Sequence, residues 1–215
     1  IEPIRVGDIL EKVIDTGLKL DQICHQELYS PLGLGQTFFR HLDDSTPASP
    51  TPGSKHSGAS FASTEFCPGR DRLITGEVHD ENAYLLRGVP GHAGLFSTAH
   101  DLEHIAQAYS WSKYHRRRIL PSFAADSLPA GDSKFKSCLW LGQTPARRSC
   151  GGSLLDSSLR TYGLTGTSIW IDPDQEIYVI LLTNRIHPTR QDRGFLSLRP
   201  PLHDLIVDAL QQMER

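Results

Sequence analysis

The chain has 215 residues, 38% of them hydrophobic, and 22 Lys+Arg against 25 Asp+Glu give a net charge of −3. That length suits one domain with room for a second small lobe, and the near balance of charge excludes a broad basic footprint for nucleic acid. The longest apolar run, Ile177–Leu182, is far short of the ~20 residues a membrane-spanning helix needs, so no membrane span is expected.

In chain order, Val6, Ile9, Leu10, Val13 and Ile14 recur at helical spacing, with Gly17 as a stop. A second short helix is expected over Leu20–Tyr29, closed by Pro31 and Gly33. Between Asp44 and Ser60, twelve of seventeen residues are Ser, Thr, Pro or Gly, a composition that buries too little to offset its ordering entropy, so a mobile surface loop is expected. From Phe61 to Phe96 the chain is Gly-rich and irregular. Thr98 followed by Asp101 matches a capping box, which predicts a helix with Leu102, Ile105, Ala106 and Tyr109 on one face. The basic cluster His115–Arg118 reads as a solvated helix end. Thr165–Ile171 and Glu176–Thr183 read as strands joined by a turn at Asp172–Gln175. The unbroken apolar run of the second strand predicts burial on both faces and a central place in the sheet. A terminal amphipathic helix is expected to present Leu202, Leu205, Ile206, Ala209, Leu210 and Met213. Cys24, Cys67, Cys138 and Cys150 are widely spaced, which predicts thiols or one incidental bridge rather than a disulfide framework. The first residue is Ile with no charged-then-apolar leader after it, which reads as a sequence entered downstream of a natural start.

Several segments in order carry a family resemblance. They are PLGLGQTFF (Pro31–Phe39), Thr64-Glu65, GEVHDENA (Gly76–Ala83), GHAGLFSTAHDLEHIAQ (Gly91–Gln107), GLTGTSIWIDP (Gly163–Pro173) and IYVILLTNRIHPTR (Ile177–Arg190). Together they resemble the serine β-lactamase-related hydrolases, a family that includes penicillin-binding carboxypeptidases and esterases. The resemblance implies acyl transfer by a serine held in S-x-x-K, a second motif Y-x-N or S-x-N, and a third motif K-T-G or H-T-G. In the third motif a strand presents a polar side chain and a backbone N–H for the oxyanion. It implies no cofactor, and a small-molecule or peptide substrate as the partner.

The chain departs from each motif. Its two Asn, Asn82 and Asn184, are preceded two residues earlier by Asp80 and Leu182, so no Y-x-N or S-x-N forms. S-x-x-K occurs at Ser110–Lys113 and Ser133–Lys136, where chance alone supplies roughly 0.5 matches, so neither is taken as the nucleophile. The expectation is therefore that no catalytic residue lies in this chain and that the first two motifs lie upstream of Ile1. H-T-G aligns with Thr161, Tyr162 and Gly163, a degenerate substrate-binding motif in which only Gly163 is kept. A Tyr ring at the second position is expected to face the cleft and fill volume that a substrate needs. His56-Ser57-Gly58 spells the motif inside the Ser/Pro loop, where no strand can present it.

His79, Asp80, Glu81 and His92 look ligand-like, but along an extended chain His79 and Glu81 share a side while Asp80 points away. His79 and His92 are read as a hydrogen-bonded scaffold near the cleft rather than as metal ligands. One rival is a zinc metallopeptidase through His100, Glu103 and His104, since H-x-x-E-H on a helix places two His one turn apart beside a Glu. Another is a non-catalytic binding module on the hydrolase fold, which the missing motifs suggest. The fold expected is α+β, β-lactamase/transpeptidase-like, an antiparallel sheet flanked by helices with its N-terminal part missing. Residues 1–215 would form the C-terminal portion of one such domain, interrupted by the loop at 44–60.

Overall fold

The computed structural model describes residues 2–14, 17–42, 61–115, 141–142, 152, 158–172, 174–191 and 194–213. The chain divides into two compact units, Ile1–His104 and Ile105–Arg215. The Ser/Pro loop at 44–60, the Ser133–Lys136 pair, Cys138 and Cys150 lie outside the described residues.

In the first unit, helix α1 (Glu2–Ile14) approaches its neighbours at Gly7. A Cβ there would come 2.9 Å from Leu20 Cδ2 and 3.3 Å from the Gly91 nitrogen, so any larger residue would make these neighbours shift. The approach turns the apolar stripe outward: Ile9, Leu10, Val13 and Ile14 are all exposed. Helix α2 (Leu20–Cys24) continues into a π-helical turn, His25–Tyr29, burying Leu20, Ile23 and Tyr29. Cys24 and Cys67 are free thiols, and burial pushes the Cys24 thiol above its ordinary value. Two short antiparallel pairs follow: β1 (Phe38–Phe39) with β4 (Leu95–Phe96), and β2 (Phe66–Cys67) with β3 (Arg72–Leu73). An aromatic cluster supports the first pair. Phe38 stacks on Phe96 at 5.9 Å, and Phe61 meets Phe96 edge-on at 5.3 Å. Between them lies the one-turn helix α3 (Glu81–Leu85).

Helix α4 (Ala99–His115) begins where Thr98 predicts, with the Asp101 N–H donating to Thr98 Oγ1 at 3.3 Å. The box is not reciprocal. Asp101 Oδ2 instead accepts from the Gln36 N–H at 2.7 Å and from Thr37 Oγ1 at 2.8 Å. A carboxylate that could have closed its own helix end thus holds the segment leading into β1.

The second unit is built on an antiparallel sheet in the order β5 (Leu141–Gly142), β6 (Leu159–Tyr162), β7 (Ser168–Asp172), β8 (Ile177–Leu181). Strand alternation divides its faces. Leu159 and Ile171 pack with Ala106 of α4 on one face, whereas Trp170 and Val179 pack with Val207 of the terminal helix α5 (Gly194–Met213) on the other.

Three expectations are corrected here. β7 starts at Ser168 rather than Thr165, because Gly163 N–H donates to the Thr167 carbonyl at 2.8 Å and Arg185 N–H to the Thr165 carbonyl at 2.9 Å, which makes that stretch a turn. Among the described residues β8 is the sheet edge, not its centre, and of its five residues only Val179 is buried, so its apolar run does not report two-sided burial. Helix α5 starts at Gly194, runs through Pro200 and Pro201, and buries Arg199, His203 and Val207. Of the expected stripe, Ile206 packs against the core, whereas Leu205 at 67% and Met213 at 84% exposure lie on the solvent side. The turn at Asp172–Gln175 is as expected, since Asp172 Oδ1 accepts the N–H groups of Asp174 and Gln175, both at 3.2 Å.

Candidate functional site

In the first unit the ligand-like residues of the GEVHDENA segment do not converge; each is taken by its own partner. His79 Nε2 lies 3.1 Å from Glu65 Oε1 with both side chains buried. Glu65 is positioned by backbone pairing on either side, Thr64 N–H to the Ile74 carbonyl at 2.8 Å and Ile74 N–H to the Glu65 carbonyl at 3.1 Å. Asp80 caps α3 by accepting the Ala83 N–H at 2.8 Å, and the same oxygen meets His92 Nε2 at 3.0 Å. Although burial works against it, these two bonds hold the Asp80 carboxyl below its usual range.

Arginines fix the backbone around this pair of dyads. Arg70 donates to the carbonyls of Val78 at 2.7 Å and His79 at 3.1 Å while lying 3.8 Å over the Tyr84 ring. Arg40 donates to the Gly76 carbonyl. Arg72 grips Glu77 through two bonds, at 3.0 and 2.8 Å, which lowers the Glu77 carboxyl despite burial acting the other way. His79 and His92 are thus hydrogen-bonded side chains of a rigid segment. Glu65 carries half of the buried dyad, a role that the Thr64-Glu65 step alone did not signal.

The H-x-x-E-H pattern lies on the first turns of α4. His104 Nδ1 bonds the His100 carbonyl at 3.0 Å, the two rings meet edge-to-face at 4.7 Å, and His100 Nδ1 is 4.0 Å from Glu103 Oε2. Among the described residues, no three His, Cys, Asp or Glu groups are placed to share a metal ion. Ser110, of the first S-x-x-K match, is buried in α4 at 8% exposure.

In the second unit Thr161 and Tyr162, with Gly163 after them, end β6. Thr161 pairs with Ile169 and Tyr162 with Ser168. By alternation Thr161 shares the α4 face with Leu159, and Tyr162 shares the α5 face with Arg160. The Arg160 guanidinium lies 5.4 Å from the Trp170 ring. Tyr162 is half exposed, and its ring lies 5.6 Å from the Arg199 guanidinium, which also faces Phe195 at 5.9 Å. Arg199 is only 5% exposed, and burial lowers its pKa. Gly163 has a packing reason to remain glycine: a Cβ there would come 2.8 Å from Thr167 Oγ1 across the β6–β7 turn.

The antiparallel sheet with helices packed on it is a β-lactamase/transpeptidase-like fold by its match to solved structures. The Beta-lactamase family model matches residues 6–197. The chain belongs to the β-lactamase family. It is 31% identical over 189 residues to an N-acetylmuramyl-L-alanine amidase of Bacillus subtilis, covering 85% of this chain and 42% of that protein. The chain therefore spans less than half the length of that relative. Two solved structures share the fold. Simvastatin synthase (LovD) from Aspergillus terreus superposes with a TM-score of 0.56 at 16% identity, covering 96% of this chain and 54% of that one. A β-lactamase (Mb2281c) from Mycobacterium bovis gives 0.55 at 15% identity, covering 95% and 60%.

Proposed function

We propose that this chain supplies the third-motif part of a serine acyl hydrolase acting on an amide or ester, and that the nucleophilic serine and its Y-x-N partner are not among its own residues. The observation that carries this reading is the placement of Thr161-Tyr162-Gly163 at the end of β6, at the turn into β7, within a chain whose family match runs from residue 6 to 197. In that role the strand end orients a substrate and offers backbone N–H groups to a developing oxyanion. Thr161 stands where the family has a basic or imidazole side chain, and Tyr162 where it has a small hydroxyl. Ser110 is no substitute nucleophile, because its hydroxyl is buried in α4. An amide substrate draws support from the amidase similarity, and the scaffold residues His79 and His92 would serve rigidity rather than proton transfer.

The test is to incubate the chain alone with nitrocefin, p-nitrophenyl acetate and a fluorophosphonate probe, followed by intact mass. No turnover and no adduct is expected. A stoichiometric adduct on Ser110 or Ser133 contradicts the reading. The non-catalytic module is the second reading, favoured by the ring contact that engages Tyr162 with Arg199.

A further inference from the structure

We propose that His203 is an acid-sensitive latch holding helix α5 on the sheet and, through Arg199, on Tyr162 at the end of β6. His203 is completely buried, its ring edge-on to Trp170 with centroids 5.2 Å apart at 62°. Nδ1 donates to the Arg199 carbonyl at 2.8 Å, which places the proton on Nδ1 and leaves Nε2 as a bare acceptor. Nε2 has no partner among the described residues, and neither do Trp170 Nε1, Ser168 Oγ and Arg199 Nε in the same layer between α5 and the sheet. A second proton on this ring would therefore create a buried cation with no acceptor among the described residues for its hydrogen bond.

The charged groups around it make that outcome worse. From α5 they are Arg199 and Asp204, and Asp204 Oδ1 already accepts the Gly152 N–H at 2.6 Å. From β6 Arg160 lies against the Trp170 ring and Tyr162 near Arg199, and Arg185 adds positive charge beside Arg199. On this face β7 carries Ser168, Trp170 and Asp172, with the Asp172 carboxylate accepting the Asp174 and Gln175 N–H groups, and β8 carries Ile177 and Val179. Burial, the largest effect, pushes the imidazole below its ordinary value; the Arg199 carbonyl opposes it, the Arg199 charge adds to it, and Asp204 opposes it least.

The sign follows. A base whose folded value is depressed binds more protons when released, so docking is fully stabilised above the free imidazole value of about 6.5 and weakens as pH falls from there through the folded value. Release of α5 would withdraw Arg199 from the Tyr162 ring and so change the surroundings of the motif strand. That consequence rests on the hydrolase reading; the release itself does not.

Hydrogen exchange of the full chain, corrected for intrinsic rates, tests it at pH 7.5 and 5.0. Exchange across residues 199–210 should rise about tenfold at the lower pH while residues 61–104 hold their protection. In His203→Leu, and in His203→Gln, which keeps a donor toward the Arg199 carbonyl and does not titrate, the rise should vanish. An unchanged wild-type exchange, or a tenfold rise retained in either variant that folds, overturns the proposal. Neither arm measures acyl transfer, so failure here leaves the hydrolase reading untouched.

Discussion

His79 in the first unit and His203 in the second are both buried imidazoles, at 8% and 0% exposure, yet their surroundings differ in kind. His79 faces the Glu65 carboxylate, and the arginines nearby are spent on carbonyls and on Glu77. His203 faces an indole and a guanidinium, and its only described hydrogen bond goes to its own helix. The first ring nitrogen faces a carboxylate; among the described residues Nε2 of the second faces no acceptor. Buried polarity therefore rigidifies the GEVHDENA segment but leaves the α5 layer conditional on pH.

The contrast can be broken where it is strongest. Glu65→Ala removes the carboxylate from a buried pair and should cost about 3–5 kcal/mol in urea unfolding at pH 7. A loss below about 1 kcal/mol would mean that the dyad is not what fixes this segment. Asp80→Ala should cost less, about 1–2 kcal/mol, by removing the α3 cap together with the His92 bond. Because the Asp80 carboxyl is held below its usual range, its contribution is full above the free carboxylate value of about 3.9 and is lost as pH falls through the folded value. The gap between wild type and Asp80→Ala should accordingly narrow from pH 7 to pH 3; a constant gap would assign the effect to the backbone alone. The smallest effect is expected at Leu205→Ser, within about 0.5 kcal/mol, since that residue lies on the solvent side of α5. A cost above about 2 kcal/mol would restore the apolar stripe expected from sequence.

Local signals in the sequence read well. Thr98 starts α4, the Asp172–Gln175 turn closes a hairpin, and Leu20–Tyr29 is helical, because each depends on neighbours within a few residues. Readings of which face is covered held on α4, where Ala106 and Tyr109 join the core, and failed at β8 and over part of α5. On α5 Leu205, Leu210 and Met213 are exposed while Ile206 packs on the core, and Arg199-x-x-x-His203-x-x-x-Val207, a true one-face spacing, is buried. Composition hid it, since two polar residues in a row of three do not register as a core stripe. Glu65, fourteen residues before His79, and Asp101, sixty-five after Gln36, act across separations that no local pattern encodes. The alignment of Thr161, Tyr162 and Gly163 with a third motif rests on the flanking GLTGTSIWIDP, and the structure adds only a packing reason for glycine at Gly163.

The most direct measurement of the proposed function grafts the upstream portion of an active relative onto this chain and follows ester hydrolysis. It is made with and without the double change Thr161→His and Tyr162→Thr. The account predicts weak turnover from the unmodified graft and recovery of at least tenfold with both changes, about 1.4 kcal/mol in the barrier. An unmodified graft that turns over as fast as its parent would show that Thr161 and Tyr162 do not impair the site, and the degenerate third motif would fall.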